Sequence, residues 1–441
     1  MNKQSKQQKI STQPYKGARD FYPEDMRVRN YIFNIWKKVC KRYGFEEWDF
    51  PFIEPFELFE AKSGDEIVNK QLYRFTDKGG RDVAIRPEKT PSLARMITGK
   101  IKTLPRPIKW FNIANCWRFE KPQKGRGREF FQLDCDIFGV KDVTADVEVF
   151  SIPIEVMKEL GAKENMFEIR ISNRRLAEYY LREVVELNGG ISEQGTQMYK
   201  VARIIDSQPK LTEREFLKQL ESENVNPKQI DAIISFIKSD IQFVEKYRDD
   251  SYGAKEITDF FRIAESLGSA KYFKFRPEIM RGFDYYTGNV IEQFDLDPAN
   301  KRSMYGGGRY DDLVNIFTDE KLTGVGYAMG DVTLMEFLKG WNLLPVLPTE
   351  TDVMVTIFDE NTRNKSFEIV QKLREKGINT FAYLEPVKLD KQFKYADRKG
   401  IRYVIVAGLD EIKKGTVQLK DMQRKQQQEL VLEKVIEKLK Q

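Results

Sequence analysis

The chain has 441 residues, a net charge of +6 and no histidine. Hydrophobic residues make up 41% of it and charged residues 32%, which are globular proportions and exclude a wholly disordered or collagen-like chain. A single hydrophobic core stops growing at about 250 to 300 residues, so we expect more than one domain.

The absence of histidine excludes the commonest general base, the commonest zinc ligand and every catalytic triad built on an imidazole. Arginine, carboxylates, tyrosine and bound metal remain available as catalytic groups. These groups suit reactions limited by negative charge on phosphates better than peptide or ester hydrolysis. The composition therefore favours a nucleotide substrate.

Targeting signals are missing from the sequence. No apolar run approaches the roughly 18 residues of a membrane span, and the opening residues lack the apolar stretch of a secretory signal. Cys40, Cys116 and Cys135 form no C-x-x-C pair and are expected to be reduced thiols. We therefore expect a cytoplasmic protein that does not associate with membranes. Residues 1–16 are polar and are predicted to form a flexible tail.

The first predicted element is a helix over residues 27–43. Val28, Ile32, Ile35 and Val39 recur at helical spacing, and Gly44 follows as a stop signal. A short helix is predicted over residues 56–61. Between residues 71 and 87, two strand-like stretches flank a Gly-Gly turn and predict a hairpin.

A second strand pair is predicted over residues 108–120 and 128–139, joined by the basic loop KPQKGRG. Long antiparallel strands interrupted by helices indicate an α+β fold with a mostly antiparallel sheet flanked by helices, rather than a doubly wound array.

The second half of the chain divides into an insertion, a return of the sheet and a new domain. Residues from about 187 to 250 are charged and helical in period, so we predict a helical insertion. Strands are expected again at 272–275 and 289–294, followed by the glycine-rich YGGGRYD at 305–311. A proline-containing linker then separates a domain of residues 17–345 from one of residues 346–441. The second domain reads as βαβαββα and ends in an amphipathic helix over about 427–440.

Several strand-like segments carry arginines with carboxylates nearby: Arg86 with Glu88, Arg118 with Glu120, and Arg281 with Asp284. Strands rarely carry so many charges unless one face lines a cleft. A solvated sheet face with weak surface ion pairs is the alternative, and composition alone leaves it open.

Specific motifs add a family resemblance. CWRFEKPQKGRGREFFQLDCDIFG, RGFDYYTG (281–288) and YGGGRYDDLV stand in the order found in class II aminoacyl-tRNA synthetases, and RGFDYYTG resembles a signature of the histidyl-tRNA synthetase family. The resemblance extends from about residue 16 to residue 440. It implies a class II catalytic domain with an insertion, followed by an anticodon-binding α/β domain.

The resemblance implies that ATP and histidine react to give histidyl-adenylate, and that histidine then passes to its tRNA. Arg118 would bridge the α-phosphate of ATP and the histidine carboxylate, because its guanidinium is a bidentate donor. Arg281 would supply a second catalytic cation. Arg126 would reach the terminal phosphates, while Glu120 and Phe130 would contact the adenine.

For the amino acid, the resemblance implies contacts at both ends of the histidine molecule. Glu88, Thr90 and Gln132 would hold the α-amino group, and the backbone of Lys89 would run past the ligand. The imidazole would be surrounded by Asp136, Tyr285 and Tyr286, and Tyr310 is a further candidate for the same wall.

Further partners follow from the same resemblance. Gln123 would read the extra 5′ guanine of tRNA(His), and Lys124 and Arg128 would contact the acceptor end. Pro51 would lie at the interface of a homodimer. Mg²⁺ would accompany ATP; the sequence does not identify its ligands, and Glu292 is a candidate.

One departure from the family pattern concerns ATP binding. The third class II motif normally ends in an arginine that closes over the nucleotide, but Thr333 occupies that position in GYAMGDVTLMEF. Either another cation closes the site, or use of ATP is weakened. The second possibility corresponds to an alternative function, that of a synthetase-like regulatory or RNA-binding paralogue.

Overall fold

A computed structural model describes residues 10–61, 67–280, 286–300, 303–311 and 313–440. The main division of the chain into two compact units falls between Leu344 and Pro345. Two of the predicted site residues, Arg281 and Tyr285, lie outside the described residues.

The helices that precede the division occur in chain order as follows. They are α1 (Pro23–Arg42), α2 (Phe56–Glu60), α3 (Thr90–Gly99), α4 (Thr144–Glu159), α5 (Arg174–Tyr179), α6 (Gln197–Ser207), α7 (Glu213–Ser222), α8 (Pro227–Ile237), α9 (Ile241–Glu245), α10 (Tyr252–Ser266) and α11 (Asp331–Gly340). The predicted helices near residues 27–43 and 56–61 correspond to α1 and α2. Helices α6 to α9 lie within the predicted helical insertion. Five further helices were not predicted from the sequence: α3, α4, α5, α10 and α11.

The strands of this unit form two sheets. They are β1 (Glu46–Glu47), β2 (Ile53–Pro55), β3 (Tyr73–Thr76), β4 (Asp82–Ile85), β5 (Ile108–Trp117), β6 (Glu129–Phe138), β7 (Phe167–Asn173), β8 (Phe273–Phe275), β9 (Asn289–Asp295), β10 (Ser303–Arg309) and β11 (Gly324–Gly330). Eight of the described strands form one sheet in the order β1-β5-β6-β11-β10-β9-β7-β8, and β2, β4 and β3 form a small second sheet.

The predicted mostly antiparallel sheet is confirmed. Pairings from β5 through β6, β11, β10 and β9 to β7 are antiparallel, whereas β1–β5 and β7–β8 at the two edges are parallel. Both predicted hairpins, β3–β4 and β5–β6, are present.

Packing of α3 against the large sheet positions the chain that precedes this helix. Leu93, Ala94 and Ile97 of α3 are fully buried in a core that also contains Ala114 of β5 and Phe138 of β6. A helix anchored in this way on one apolar stripe holds its N-terminal residues in a fixed place. Residues 88–90 are therefore held close to β6, where Lys89 contacts Asp136.

The second unit is a five-stranded sheet with helices on both faces. Its strands are β12 (Val353–Val355), β13 (Thr380–Ala382), β14 (Tyr403–Val406), β15 (Thr416–Asp421) and β16 (Gln426–Val431), and its helices are α12 (Arg363–Glu375), α13 (Leu389–Arg398), α14 (Leu409–Lys414) and α15 (Leu432–Lys440). Strand β12 shows the arrangement, because Val353 and Val355 face one core and Met354 faces the other. The predicted α/β character of this unit is confirmed, but the predicted order βαβαββα lacked α14 and β16.

The prediction of a final helix beginning near residue 427 is wrong. Residues Gln426–Val431 form β16, which pairs antiparallel with β15, and the helix begins only at Leu432. Lys425 has a φ of 53° in the turn between the two strands. The polar run QQQELV carries little apolar periodicity, so its state is decided by hydrogen bonding to β15 rather than by its own pattern.

Candidate active site

A cavity of about 760 Å³ opens on the large sheet of the first unit. Its walls come from the segment before α3, from the β5–β6 hairpin and from strands β9, β10 and β11. The cavity brings together most of the predicted site residues: Glu88, Lys89, Thr90, Arg118, Glu120, Arg126, Phe130, Gln132, Asp136, Tyr286, Glu292 and Tyr310. Thr333 also lines it.

Strand β6 supplies one continuous side of the cavity. Successive side chains of a strand point to opposite faces, so every second residue lies on the same side. Phe130, Gln132, Asp134 and Asp136 all line the cavity. Of these four residues, Asp134 was not predicted from the sequence, although the period of two could have revealed it.

At one end of the cavity, Arg118 is held by two contacts. Its Nε donates a hydrogen bond to the Pro87 carbonyl oxygen at 3.0 Å, and its guanidinium carbon lies 5.3 Å from the centre of the Phe130 ring. Because Nε is engaged by the backbone, the guanidinium plane is oriented and the two Nη groups carry the donors that an anion needs.

The remaining charged groups at this end include an ion pair. Arg126 Nη1 lies 3.0 Å from Glu120 Oε2, so the residue predicted to reach phosphates is paired with the one predicted to contact adenine. Thr333 Oγ1 donates to the Met304 carbonyl oxygen at 2.9 Å. Two charged side chains of α6 also line the cavity, and the sequence offered no signal that could place them there: Arg203 and Asp206.

The other end of the cavity contains a buried polar cluster formed by Lys89, Asp134, Asp136 and Tyr310. Asp136 accepts hydrogen bonds from the Lys89 ammonium group and from the Tyr310 hydroxyl group. Lys89 Nζ also lies 3.5 Å from Asp134 Oδ1. For Lys89 we expected only backbone proximity to a ligand, but its side chain is part of the pocket itself and is 6% exposed.

Burial and charge compete within this cluster. Burial raises the pKa of Asp134 to about 7, with Lys89 acting in the opposite direction and Asp136 adding to the increase. For Lys89, burial lowers the pKa, but the two carboxylates outweigh burial and the net change is upward. The lysine therefore carries its charge at neutral pH, while Asp134 changes protonation close to it.

Strand β11, which pairs with β6, carries a glycine opposite Asp136. A Cβ atom added at Gly326 of β11 would lie 2.1 Å from Asp136 Oδ1. Only a residue without a side chain leaves room for that carboxylate at this position.

Comparison with known proteins identifies the family to which this architecture belongs. A family model described as histidyl-tRNA synthetase matches residues 17–333, and a model described as an anticodon binding domain matches residues 352–441. The chain belongs to the histidyl-tRNA synthetase family.

Individual relatives agree with this assignment. The chain is 40% identical to a histidine–tRNA ligase of Leptospira biflexa over 99% of both chains. It is 36% identical to a chloroplastic/mitochondrial histidine–tRNA ligase of Arabidopsis thaliana, over 93% of this chain and 83% of that protein. A solved histidyl-tRNA synthetase from Nostoc matches with a TM-score of 0.83 at 27% identity, covering 98% of this chain and 99% of that one.

The predicted family, fold class and enzyme class, a histidine–tRNA ligase, are therefore confirmed. The relatives support this function rather than the alternative of a regulatory or RNA-binding paralogue. Among the described helices, none combines the length and apolar character that crossing a bilayer requires.

The residues that the family resemblance assigned to tRNA lie on the β5–β6 loop, outside the lining of the cavity. Gln123 and Arg126 exchange two backbone hydrogen bonds in a tight turn, and Lys124 Nζ lies 3.8 Å from Glu336 Oε2. Arg128 donates to the Glu120 carbonyl oxygen and to the Tyr15 hydroxyl oxygen, at 3.1 Å and 2.7 Å. The loop is thus held at its base and presents its charged tip.

Asp134 provides a pH-dependent prediction. The pKa of this carboxyl group rises from 3.8 to about 7 on folding, so the native state is destabilised relative to the unfolded state as the pH increases between those values. Replacing Asp134 by asparagine removes this destabilisation. We expect the free energy of unfolding of D134N, relative to the parent protein, to increase by about 2 to 3 kcal/mol from pH 5 to pH 8.

Urea denaturation of both proteins at pH 5 and pH 8, followed by tryptophan fluorescence, measures this difference. A difference that stays constant between the two pH values would show that Asp134 does not titrate in this interval.

Proposed function

We propose that the cavity is where histidine is activated, by attack of its carboxylate on the α-phosphorus of ATP to give histidyl-adenylate and pyrophosphate. The histidyl group is then transferred to the 3′ end of tRNA(His). The observation that carries this proposal is that the side chains assigned to phosphate, α-amino group and imidazole line one cavity on one sheet. Such convergence positions two substrates for reaction.

Positively charged side chains bind the phosphates of ATP and stabilise the charge that develops there during the reaction. Arg118 binds the α-phosphate and the carboxylate together, which offsets their repulsion and the charge that develops during attack. Arg281 supplies a second cation, and Arg126 binds the terminal phosphates. Phe130 stacks on the adenine and Glu120 contacts its edge.

The amino acid is bound at the opposite end. Glu88, Thr90 and Gln132 hold the α-amino group, and the buried cluster holds the imidazole. Tyr286 completes the wall, with its ring centre 6.3 Å from that of Tyr310. The aromatic residue next to it in sequence, Tyr285, is assigned to the same wall.

Neither chemical step needs a histidine of the enzyme. The substrate carboxylate attacks in its ionised form, and a phosphate oxygen of the adenylate accepts the proton of the ribose hydroxyl during transfer. The absence of histidine from the chain is therefore compatible with the full reaction.

Mg²⁺ enters with ATP in this proposal. Within the described part of the chain, no group of three or more acidic or cysteine side chains is arranged to hold a metal. Mg²⁺ usually keeps several waters and is bound through substrate phosphates with one or two carboxylates, so such a group is not required. Glu292, whose side chain lines the cavity, is the candidate protein ligand. The ion would neutralise phosphate charge.

The wider assignments follow the same function. Residues 17–345 form the catalytic domain, and residues 346–441 bind the anticodon. Gln123, Lys124 and Arg128 contact the acceptor end of tRNA(His). The protein acts as a homodimer, with Pro51 at the interface, in the cytoplasm.

Histidine-dependent exchange of labelled pyrophosphate into ATP tests the function. We expect exchange with histidine and not with the other amino acids, together with charging of tRNA(His). Binding of tRNA without any exchange would instead favour a protein that has lost ATP chemistry, which is the outcome that Thr333 in the third motif would explain.

A further inference from the structure

The buried cluster contains the positive charge of Lys89. A carboxylate and tyrosines are enough to bind the imidazole of histidine, so this charge calls for an explanation. The Lys89 side chain is 6% exposed, and its ammonium group donates to Asp136 Oδ2. We propose that Lys89 is a positioning residue that sets specificity: through Asp136, it makes this end of the cavity selective for the neutral form of imidazole. The inference rests on the proposed function, since it assumes that histidine binds here.

Lys89 and Tyr310 together fix the orientation of Asp136. The ammonium group occupies Oδ2 and the phenol hydroxyl occupies Oδ1, so each carboxylate oxygen already receives one donor from the protein. A carboxylate has about four lone-pair sites, which leaves acceptor capacity for an N–H group of a ligand. Asp136 is thus an oriented acceptor for one imidazole N–H.

Charge determines which form of imidazole fits. Asp134 and Asp136 face one ammonium group, so Lys89 already supplies the cation that two neighbouring carboxylates attract. An imidazolium ion would bring a second positive charge next to that ammonium group in a site with little solvent, where repulsion is strong. Neutral imidazole donates its N–H to Asp136 without this cost.

Asp134 titrates in this pH range, because burial raises its pKa to about 7. Below that pH it is mostly neutral, so Lys89 and Asp136 form a pair without net charge, which an imidazolium ion would disturb. The remaining titratable groups near Lys89 do not alter this balance. Burial raises the pKa of Cys135 well above its usual value, which keeps that thiol neutral. Glu88 is assigned to the α-ammonium group of the substrate, which balances its charge. The titratable groups that act on Lys89 or on its two carboxyl partners are Glu88, Asp134, Cys135, Asp136 and Tyr310.

Lys89→Met tests the inference, because methionine has a similar length and no charge. The measurement is the KM for histidine in pyrophosphate exchange from pH 6 to pH 8. In the parent protein, we expect KM to rise as pH falls through about 6.5, the usual imidazole pKa, because the neutral form is lost. In K89M, we expect KM to be about 10- to 100-fold above the parent value at pH 8, because two carboxylates lack their cation.

The discriminating result is the pH trend. In K89M, imidazolium can replace the missing ammonium group, so we expect the excess over the parent KM to shrink to about threefold or less at pH 6. A K89M-to-parent ratio of KM that is the same at every pH, or a KM unchanged by the substitution, would overturn the inference and leave Lys89 a structural role.

Two further variants complete the experiment. Lys109→Met removes a lysine from an ion pair outside the cavity, 2.6 Å from Glu148, and should leave KM at its parent value throughout. Lys89→Arg keeps the charge and should keep the parent direction of the pH trend; a reversed trend in K89R would also overturn the inference, even if K89M did not fold. Absence of histidine-dependent exchange in the parent protein would instead refute the proposed function itself.

Discussion

Arg118→Ala is expected to reduce histidine-dependent pyrophosphate exchange by about 10³-fold, mainly through kcat. Arg118 is oriented by the Pro87 carbonyl oxygen and by the Phe130 ring, so its guanidinium is prepared for an anion before any substrate arrives. Preorganised hydrogen-bond donors stabilise a transition state most strongly where charge develops during the reaction. Alanine removes both the charge and the bidentate geometry.

Arg118→Lys separates these two contributions. Lysine keeps one positive charge but lacks the planar pair of donors that bridges two anionic groups. We expect R118K to lose about 10- to 100-fold in exchange, which lies between the parent protein and R118A. Arg81→Ala, which removes an exposed arginine paired with Asp77 in the β3–β4 turn, is the matched control and should leave exchange unchanged. If R118A exchanged pyrophosphate at a near-parental rate, the assigned role of Arg118 would be wrong.

Arg309→Met is expected to lower the free energy of unfolding of the first unit by about 3 to 5 kcal/mol. The Arg309 side chain is 2% exposed, and it donates to both carboxylate oxygens of Asp146 in α4. It also donates to the Val140 and Asp142 carbonyl oxygens, at 3.0 Å and 3.2 Å. Removing the arginine leaves a buried carboxylate with its main partner lost, which is the most costly way to break an ion pair.

A double-mutant cycle distinguishes the ion pair from simple loss of packing. Combining Arg309→Met with Asp146→Asn removes both charges, so the loss for the double variant should be smaller than the sum of the two single losses. Urea denaturation followed by circular dichroism measures each term. Additive losses would show that the two side chains contribute independently, contrary to the contacts between them.

Local patterns in the sequence were sufficient to predict much of the secondary structure of this protein and many of the residues that line its cavity. The hairpins β3–β4 and β5–β6 follow from alternating strands around turn signals, and the second unit follows from alternating strand and helix periods. Most of the predicted site residues that the structure describes line one cavity. Many of them share it because the strands that carry or adjoin them, β5, β6, β9 and β10, belong to one sheet.

The features that the sequence did not predict depend on contacts between residues far apart in the chain. Residues Gln426–Val431 have a polar composition that suits either a helix or an exposed edge strand, and hydrogen bonding with β15 decides the outcome. Likewise, α6 is amphipathic by its own pattern, but nothing local indicates that Arg203 and Asp206 reach a cavity whose other walls lie in β6, β10 and β11.

By itself, the sequence determined the family, the antiparallel sheet and most of the described residues that line the cavity, because these are encoded in motifs and in periods of two or 3.6 residues. Only the tertiary structure decided that the Lys89 side chain lies in the cavity beside Asp134 and Asp136. The physical reason is that the residues next to Lys89 in the sequence, Pro87, Glu88 and the first residues of α3, do not indicate where its side chain lies. Its position is set by the carboxylates of a strand more than 40 residues away in the chain, which alone can compensate its burial.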